Sequence, residues 1–298
     1  METKTKLNIK LDGLKSNKSF MCLILNTKGT KNSFNNKILG LTLSDWVKFA
    51  CSNIDCENVD YDKSENVLDF AKKHIDYKYD YSIILFSNTP LITHSTIENI
   101  MEYSEIKDIN LCKLHVGYVV NNEYLRNHDN WNVDSIFSSN MDEFYTVENK
   151  SQFTYAFRIL SERINNFHIS NGVDIVSPNN TYIEPFVDIE KGVKIMPHNT
   201  LKGKVVIEKD VILKENNTIE NSKIGKNSVV SHSVVTDSVI SENVFVGSFS
   251  EIKNSLIGKN SVIENNCYIN NYNVMPSSVI TGHSNLGENN NDSNSGAR

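Results

Sequence analysis

Seven aliphatic residues recur at a six-residue spacing in the C-terminal half: Ile183, Ile189, Ile195, Leu201, Ile207, Leu213 and Ile219. Four residues after each of the first six stands a looser second row of Val187, Val193, Asn199, Val205, Val211 and Asn217. A helix repeats its apolar face about every 3.6 residues and a simple strand every second one, so neither gives this pattern. A period of six predicts a hexapeptide β-helix in which each hexad is one short, flat side of a coil. The repeated aliphatic residue points inward and stacks on its equivalent one coil away. Glu190-Lys191-Gly192 and Glu208-Lys209-Asp210 are expected to turn corners outside, with Glu208, Lys209 and Asp210 exposed. After Ile219 the period slips to five at several points, but anchors continue at Ile224, Val230, Val235, Ile240, Val246, Ile252, Ile257, Ile263 and Ile269. The slips predict altered corners inside one continuous β-helix over residues 173–283, with roughly six coils between 177 and 282. The Asn/Ser/Gly-rich tail, residues 284–298, is expected to be disordered.

The N-terminal half reads differently. Phe20–Leu25 and Tyr81–Phe86 are short apolar runs that predict buried strands. Leu43, Trp46, Val47, Ala50, Cys51 and Ile54 share one helical face, with Thr42 and Asp45 placed to cap its start. Val67, Leu68, Ala71 and Ile75 mark a second helix from about Ser64, and residues 96–103 a third. Cys112, Leu114, Val116, Tyr118 and Val120 alternate, which predicts one half-buried strand, while residues 121–142 follow no clear pattern. Phe153, Ala156, Phe157, Leu160, Ile164 and Phe167 form the stripe of the longest helix, and Asn171-Gly172 ends it. Strands alternating with helices predict an α/β domain over residues 1–150 with a largely parallel sheet. Residues 151–172 then serve as a linker helix.

Composition narrows the classes of function. The chain has 298 residues, 30 basic against 36 acidic, and a net charge of -6 without a basic block, which argues against nucleic acid as a partner. Five cysteines, Cys22, Cys51, Cys56, Cys112 and Cys267, are scattered without a Cys-x-x-Cys pair. That spacing predicts a reduced compartment and neither a zinc site nor a disulfide framework. The polar, lysine-rich start lacks an apolar signal segment, and no run approaches the ~20 apolar residues of a membrane span. A soluble, cytoplasmic protein without a membrane partner is the expectation.

Arg163-Ile164-Asn165-x-x-His168-x-x-Asn171-Gly172-Val173 and Asn180-Thr181-Tyr182-Ile183 resemble the linker helix and β-helix entry of one bacterial family. This family is the bifunctional N-acetylglucosamine-1-phosphate uridylyltransferase/glucosamine-1-phosphate acetyltransferase. Ser222-Lys223-Ile224-Gly225 and Ser250-Glu251-Ile252-Lys253 extend the likeness. The resemblance covers residues 160–270 well and residues 20–100 faintly. It implies a nucleotidyltransferase-like α/β domain followed by a left-handed parallel β-helix of hexapeptide repeats, assembled as a homotrimer.

The same resemblance assigns roles position by position. Lys28-Gly29-Thr30-Lys31 falls at the family's nucleotide-binding loop, one residue short, without its first glycine and with Lys31 in place of an arginine. Lys37 stands at the later lysine of nucleotidyl transfer. Asn88 replaces the aspartate that holds Mg²⁺, and the second metal ligand aligns with Glu148 or Asn149. A neutral amide is a poorer ligand than a carboxylate for this hard cation, so Mg²⁺ binding is expected to be weakened. The segment that reads uracil has no counterpart between Val59 and Tyr81. In the acetyltransferase half, Asn265 takes the place of the histidine general base, which an amide cannot replace at neutral pH. Lys253 and Tyr268 fall where the family contacts the sugar phosphate. The coils that hold acetyl-CoA are missing, so that cofactor is not expected. Three readings follow: a non-catalytic or much-weakened trimeric homologue that binds a sugar phosphate or nucleotide-sugar, an active nucleotidyltransferase, and a hexapeptide acyltransferase with relocated groups.

Overall fold

The computed structural model describes residues 18–27, 37–138 and 140–287. The chain divides into two compact units, whose described parts are residues 18–160 and residues 161–287.

In the first unit, β1 (Phe20–Thr27) lies between β2 (Asp55–Tyr61) and β3 (Tyr81–Phe86), parallel to both. The sheet continues through β5 (Tyr118–Asn121), β4 (Leu111–Lys113) and β6 (Ser135–Ile136) in the order β2-β1-β3-β5-β4-β6. Helices α1 (Leu43–Ala50), α2 (Val67–His74), α3 (His94–Lys107) and α4 (Asn122–Asn127) connect them. Phe20, Cys22, Ile24, Ile83 and Leu85 face one core with Val47, Ala50, Ile97 and Ile100. Met21, Leu23, Leu25 and Ile84 face a second core with Leu68, Phe70 and Ala71. Period-two alternation on a sheet buried on both faces produces this split, which is why β1 reads as an unbroken apolar run. Thr42 and Asp45 cap each other's backbone at the start of α1, so aspartate completes a capping box that favours glutamate elsewhere.

One sequence expectation is revised in this unit, and one strand is added to those the sequence predicted. The polar Asp55–Tyr61 segment is a strand, carried on the sheet edge by parallel pairing with β1 rather than by its own apolar pattern. The alternating run from Cys112 to Val120 is a hairpin and not one strand: β4 and β5 pair antiparallel. Gly117 turns the chain at φ +109, where a Cβ would stand 2.1 Å from the Ile84 carbonyl oxygen. The sheet is largely parallel, as expected: β2, β1, β3, β4 and β6 run in one direction and β5 alone is antiparallel.

Helix α5 (Lys150–Ser170) starts on an Asn149 cap: Asn149 Oδ1 accepts from Gln152 N at 2.9 Å, and Gln152 Oε1 accepts from Asn149 N at 3.1 Å. Its last turns belong to the second unit, where strands β7 (Asp174–Ile175) to β26 (Asn285–Gly287) form three parallel sheets of seven, seven and six strands. Three strands per coil give a left-handed β-helix of six full coils and the start of a seventh. All the hexad anchors from Ile183 to Ile269 are buried, most of them completely. Each anchor stacks on its equivalents, as Ile207 does between Ile189 and Ile224. Burial of one such side chain contributes about 1.5–3 kcal/mol. Lys209 and Asp210 are exposed, but Glu208 is half-buried, because its carboxylate pairs with Lys223 Nζ at 2.6 Å and accepts from Lys226 N at 3.0 Å.

The slips of period are changes of corner. Six-residue sides turn on left-handed residues such as His198, Asp210, Asn216 and Asn243, with φ between 58 and 62. Five-residue sides turn on Asn221, His232, Asp237, Asn254 and Asn271, with φ between 46 and 51. Asparagine and aspartate dominate both sets because their short polar side chains tolerate this conformation best after glycine. The polar members of the second row have a matching purpose. Asn217 Nδ2 donates to Asn199 Oδ1 at 2.9 Å, and Asn217 Oδ1 accepts from Ser233 N at 2.9 Å. Ser233 Oγ accepts from Ser250 N, and Ser250 Oγ from Cys267 N, both at 3.1 Å. This buried ladder satisfies one backbone N–H per coil at a corner the strands leave unpaired.

Candidate functional site

The residues that carry the resemblance most specifically sit where α5 meets the first coil. Asn165 is 1% exposed and its Nδ2 donates to the carbonyls of Pro178 at 2.7 Å and Thr181 at 3.2 Å. His168 is 2% exposed, and its Nε2 has no hydrogen-bond partner. Burial pushes its pKa down to about 4, against a smaller upward pull from Asp188. Gly172 ends the helix at φ +89, with Lys191 Cβ 3.2 Å from the place its own Cβ would take. The Asn165 and Gly172 contacts hold the end of the helix to the first coil, an architectural role.

In the α/β unit, β3 ends in a buried loop. Ser87 N donates to Leu25 O at 3.0 Å, and Thr89 Oγ1 to Phe86 O at 2.8 Å. Asn88, 6% exposed, accepts from Val147 N through its backbone oxygen at 2.8 Å. That bond brings the chain of Glu148 and Asn149 alongside Asn88, as their proposed pairing requires. The side chains point to other tasks. Glu148 is exposed and lies 3.9 Å from Lys63 Nζ, while Asn149 Oδ1 caps α5. Lys37 is exposed, one residue before the Ile38–Leu41 turn. Lys28, Gly29, Thr30 and Lys31 lie outside the described residues. Three metal-ligating side chains of the His, Cys, Asp or Glu type do not converge around Asn88 among the described residues.

A cavity of about 620 Å³ opens between the end of β2, the start of α2 and β5, lined by Tyr61, Asn66, Asp69, Tyr118 and Trp131 among others. Asp69 accepts from Trp131 Nε1 at 3.1 Å. Lys72 Nζ contacts Asp129 at 2.8 Å and lies over the Trp131 ring. Glu65, Asp69 and Asp129 line it, but Glu65 is paired with Lys73 and Asp129 with Lys72, so their charges are largely compensated. Sequence reasoning missed this cavity, because its lining comes from separate segments around residues 61–69, 111–118 and 129–133 that meet only in the fold.

On the β-helix, Asn265 stands at an exposed corner, and its Oδ1 accepts from Ser248 N, one coil below, at 2.8 Å. Lys253 pairs with Glu251, which raises the lysine pKa; Tyr268 contributes a smaller pull in the same direction. Tyr268 occupies the strand position directly beside Glu251. The structure thus brings Lys253 and Tyr268 together on one sheet and puts Asn265 at the corner that precedes it.

This fold defines a hexapeptide-repeat β-helix protein carrying an α/β unit. The GMPPB C-terminal domain model matches residues 177–289. The bifunctional protein GlmU of Clostridium novyi (strain NT) is 34% identical over 116 residues, 39% of this chain and 25% of that protein. GlmU of Clostridium tetani (strain Massachusetts / E88) is 40% identical over 80 residues, 27% of this chain and 18% of that protein. GlmU of Clostridioides difficile (strain 630) is 30% identical over 157 residues, 53% of this chain and 28% of that protein. The chain is GlmU-like in sequence and spans about a quarter of the length of the curated relatives it matches. Among solved structures, the acetyltransferase domain of PglB from Neisseria gonorrhoeae FA1090 matches with a TM-score of 0.31 and 9% identity, covering 89% of this chain and 96% of that one. Among the described residues, no helix is long and apolar enough to cross a membrane.

Proposed function

We propose that this GlmU-like chain is a trimeric, non-catalytic or much-weakened homologue in the metabolism of UDP-N-acetylglucosamine, acting in a reducing cytoplasm on a sugar phosphate or nucleotide-sugar that it binds without turning it over. The observation that carries this reading is Asn265. At the position the resemblance gives to the general base stands an amide, and its oxygen is occupied by a backbone N–H. It cannot take a proton from a sugar amine.

The α/β unit supports the same reading. Magnesium favours carboxylate oxygens. Asn88 is neutral, Glu148 lies toward Lys63, and Asn149 is a helix cap, so this donor set does not fit the ion. The trimer has its own support. Ile212, Val229, Phe245, Val262 and Val279 form an outward column on consecutive, directly paired strands of one sheet. Four of the five are more than a third exposed, an unbroken apolar stripe of the kind that packs against another copy.

The proposal is tested by offering acetyl-CoA and glucosamine 1-phosphate to the purified chain, alongside sedimentation of the same sample. The expected outcome is a trimer without acetyl transfer. Transfer that disappears in Asn265→Ala would return the chain to the acyltransferases. One observation favours active nucleotidyl transfer as a second reading: the Val147 N–H to Asn88 O bond brings the backbone that leads into Glu148 alongside Asn88.

A further inference from the structure

Three of the five cysteines, distant in sequence, meet in the α/β unit. Parallel pairing sets Cys22 of β1 directly opposite Cys56 of β2, which places both side chains on one face of the sheet. Helix α1 packs on that face, and its C-cap residue, Cys51, comes down onto the pair. Cys51 Sγ lies 3.6 Å from Cys22 Sγ, and all three sulfurs lie within 4.8 Å of one another. Cys22 and Cys51 are fully buried, while Cys56 is half-buried and opens the cluster toward solvent. All five cysteines are free thiols.

From this geometry we infer that Cys22, Cys51 and Cys56 form a three-thiolate site for a soft d¹⁰ metal ion, Zn²⁺ or Cu(I). The distances fit that chemistry. A zinc–sulfur bond of about 2.3 Å puts tetrahedral sulfurs about 3.8 Å apart, within the spread of this cluster. Among the described residues no fourth His, Cys, Asp or Glu donor joins them. Three sulfurs therefore hold Cu(I) in a trigonal plane, or hold Zn²⁺ with a water entering on the Cys56 side. Thiolate sulfur selects these ions over hard cations such as Mg²⁺. Binding releases the three thiol protons to solvent, so affinity rises with pH. The alternative is three small apolar side chains filling a core, as free cysteines often do. The site revises the expectation, drawn from the lack of a Cys-x-x-Cys pair, that the chain has no zinc site. It rests on the α/β unit alone and is independent of the functional reading above.

The test uses the full chain, purified under reducing, metal-free conditions. Separate samples receive Zn²⁺, Cd²⁺ or Cu(I), are desalted, and are assayed for retained metal and for alkylation of Cys56. The expected result is about one ion per chain with Zn²⁺ or Cu(I), a sulfur-to-metal ultraviolet band with Cd²⁺, and protection of Cys56 from alkylation. Cys56→Ser, a conservative change at the half-buried position, loses the ion, and Cys112→Ser keeps it. Wild-type chain that retains no metal with any of the three ions, or a Cys56→Ser chain that retains as much as wild type, would overturn the inference.

Discussion

Acidification is expected to loosen the joint between α5 and the β-helix through His168. In the folded chain this imidazole is buried with an unpartnered Nε2, and burial holds its pKa at about 4 against an ordinary value of 6.5. Between those values the unfolded chain binds a proton that the folded chain refuses. Stability contributed by the neutral ring is therefore intact above pH 6.5 and declines as pH falls toward 4. At about 1.36 kcal/mol per unit of pKa difference, the loss is about 3 kcal/mol across that interval. The assay is denaturant unfolding, followed by far-ultraviolet circular dichroism, at several pH values for wild type and His168→Leu. Glu208 and Glu242, whose pKa values are lowered by Lys223 and Lys226 respectively, also lose stability in acid, but below the ordinary carboxylate range. The difference between the two proteins in the upper part of the interval therefore belongs to His168. Wild type should lose stability there and His168→Leu should not. Parallel pH dependence in the two proteins would refute the burial argument.

Other consequences can be checked separately. Ile207→Ala should cost about 2–5 kcal/mol in denaturant unfolding, since Ile189 and Ile224 are held by their own strands and cannot collapse into the hole; Ile212→Ala, on the outward face, should cost much less. Phe245→Glu should dissociate the trimer in sedimentation while circular dichroism stays unchanged, and a wild-type chain that is already monomeric would count against the apolar column as an interface. Asn88→Asp should not confer UTP-dependent turnover, because the Lys28–Lys31 loop is still one residue short and no uracil-reading segment has been added.

The β-helix was legible because its period is strict: every coil repeats the same inward position, and a single sequence contains many copies of the rule. Even the slips could be read as corners, although only the structure shows that the five-residue sides share one narrow range of φ. The α/β unit was less legible where tertiary pairing overrides local pattern. Asp55–Tyr61 has no apolar alternation of its own and becomes a strand because β1 offers it an edge. Alternation from Cys112 to Val120 suits a hairpin as well as a strand, and Gly117 decides between them. The cysteine cluster could not be read from spacing, since residues 22, 51 and 56 meet only through strand register and the end of α1. Asn165, His168 and Gly172 stood out in the sequence as a motif, but the Asn165 and Gly172 contacts tie a helix to a coil rather than create chemistry.

The most direct measurement is steady-state formation of UDP-N-acetylglucosamine from UTP and N-acetylglucosamine 1-phosphate by the purified chain with Mg²⁺. Transfer at that phosphate depends on a carboxylate-held metal and correctly aimed cations. With neutral Asn88 at the metal position, no product above the protein-free background is expected. Product that forms with wild type and disappears with Lys37→Ala would contradict it.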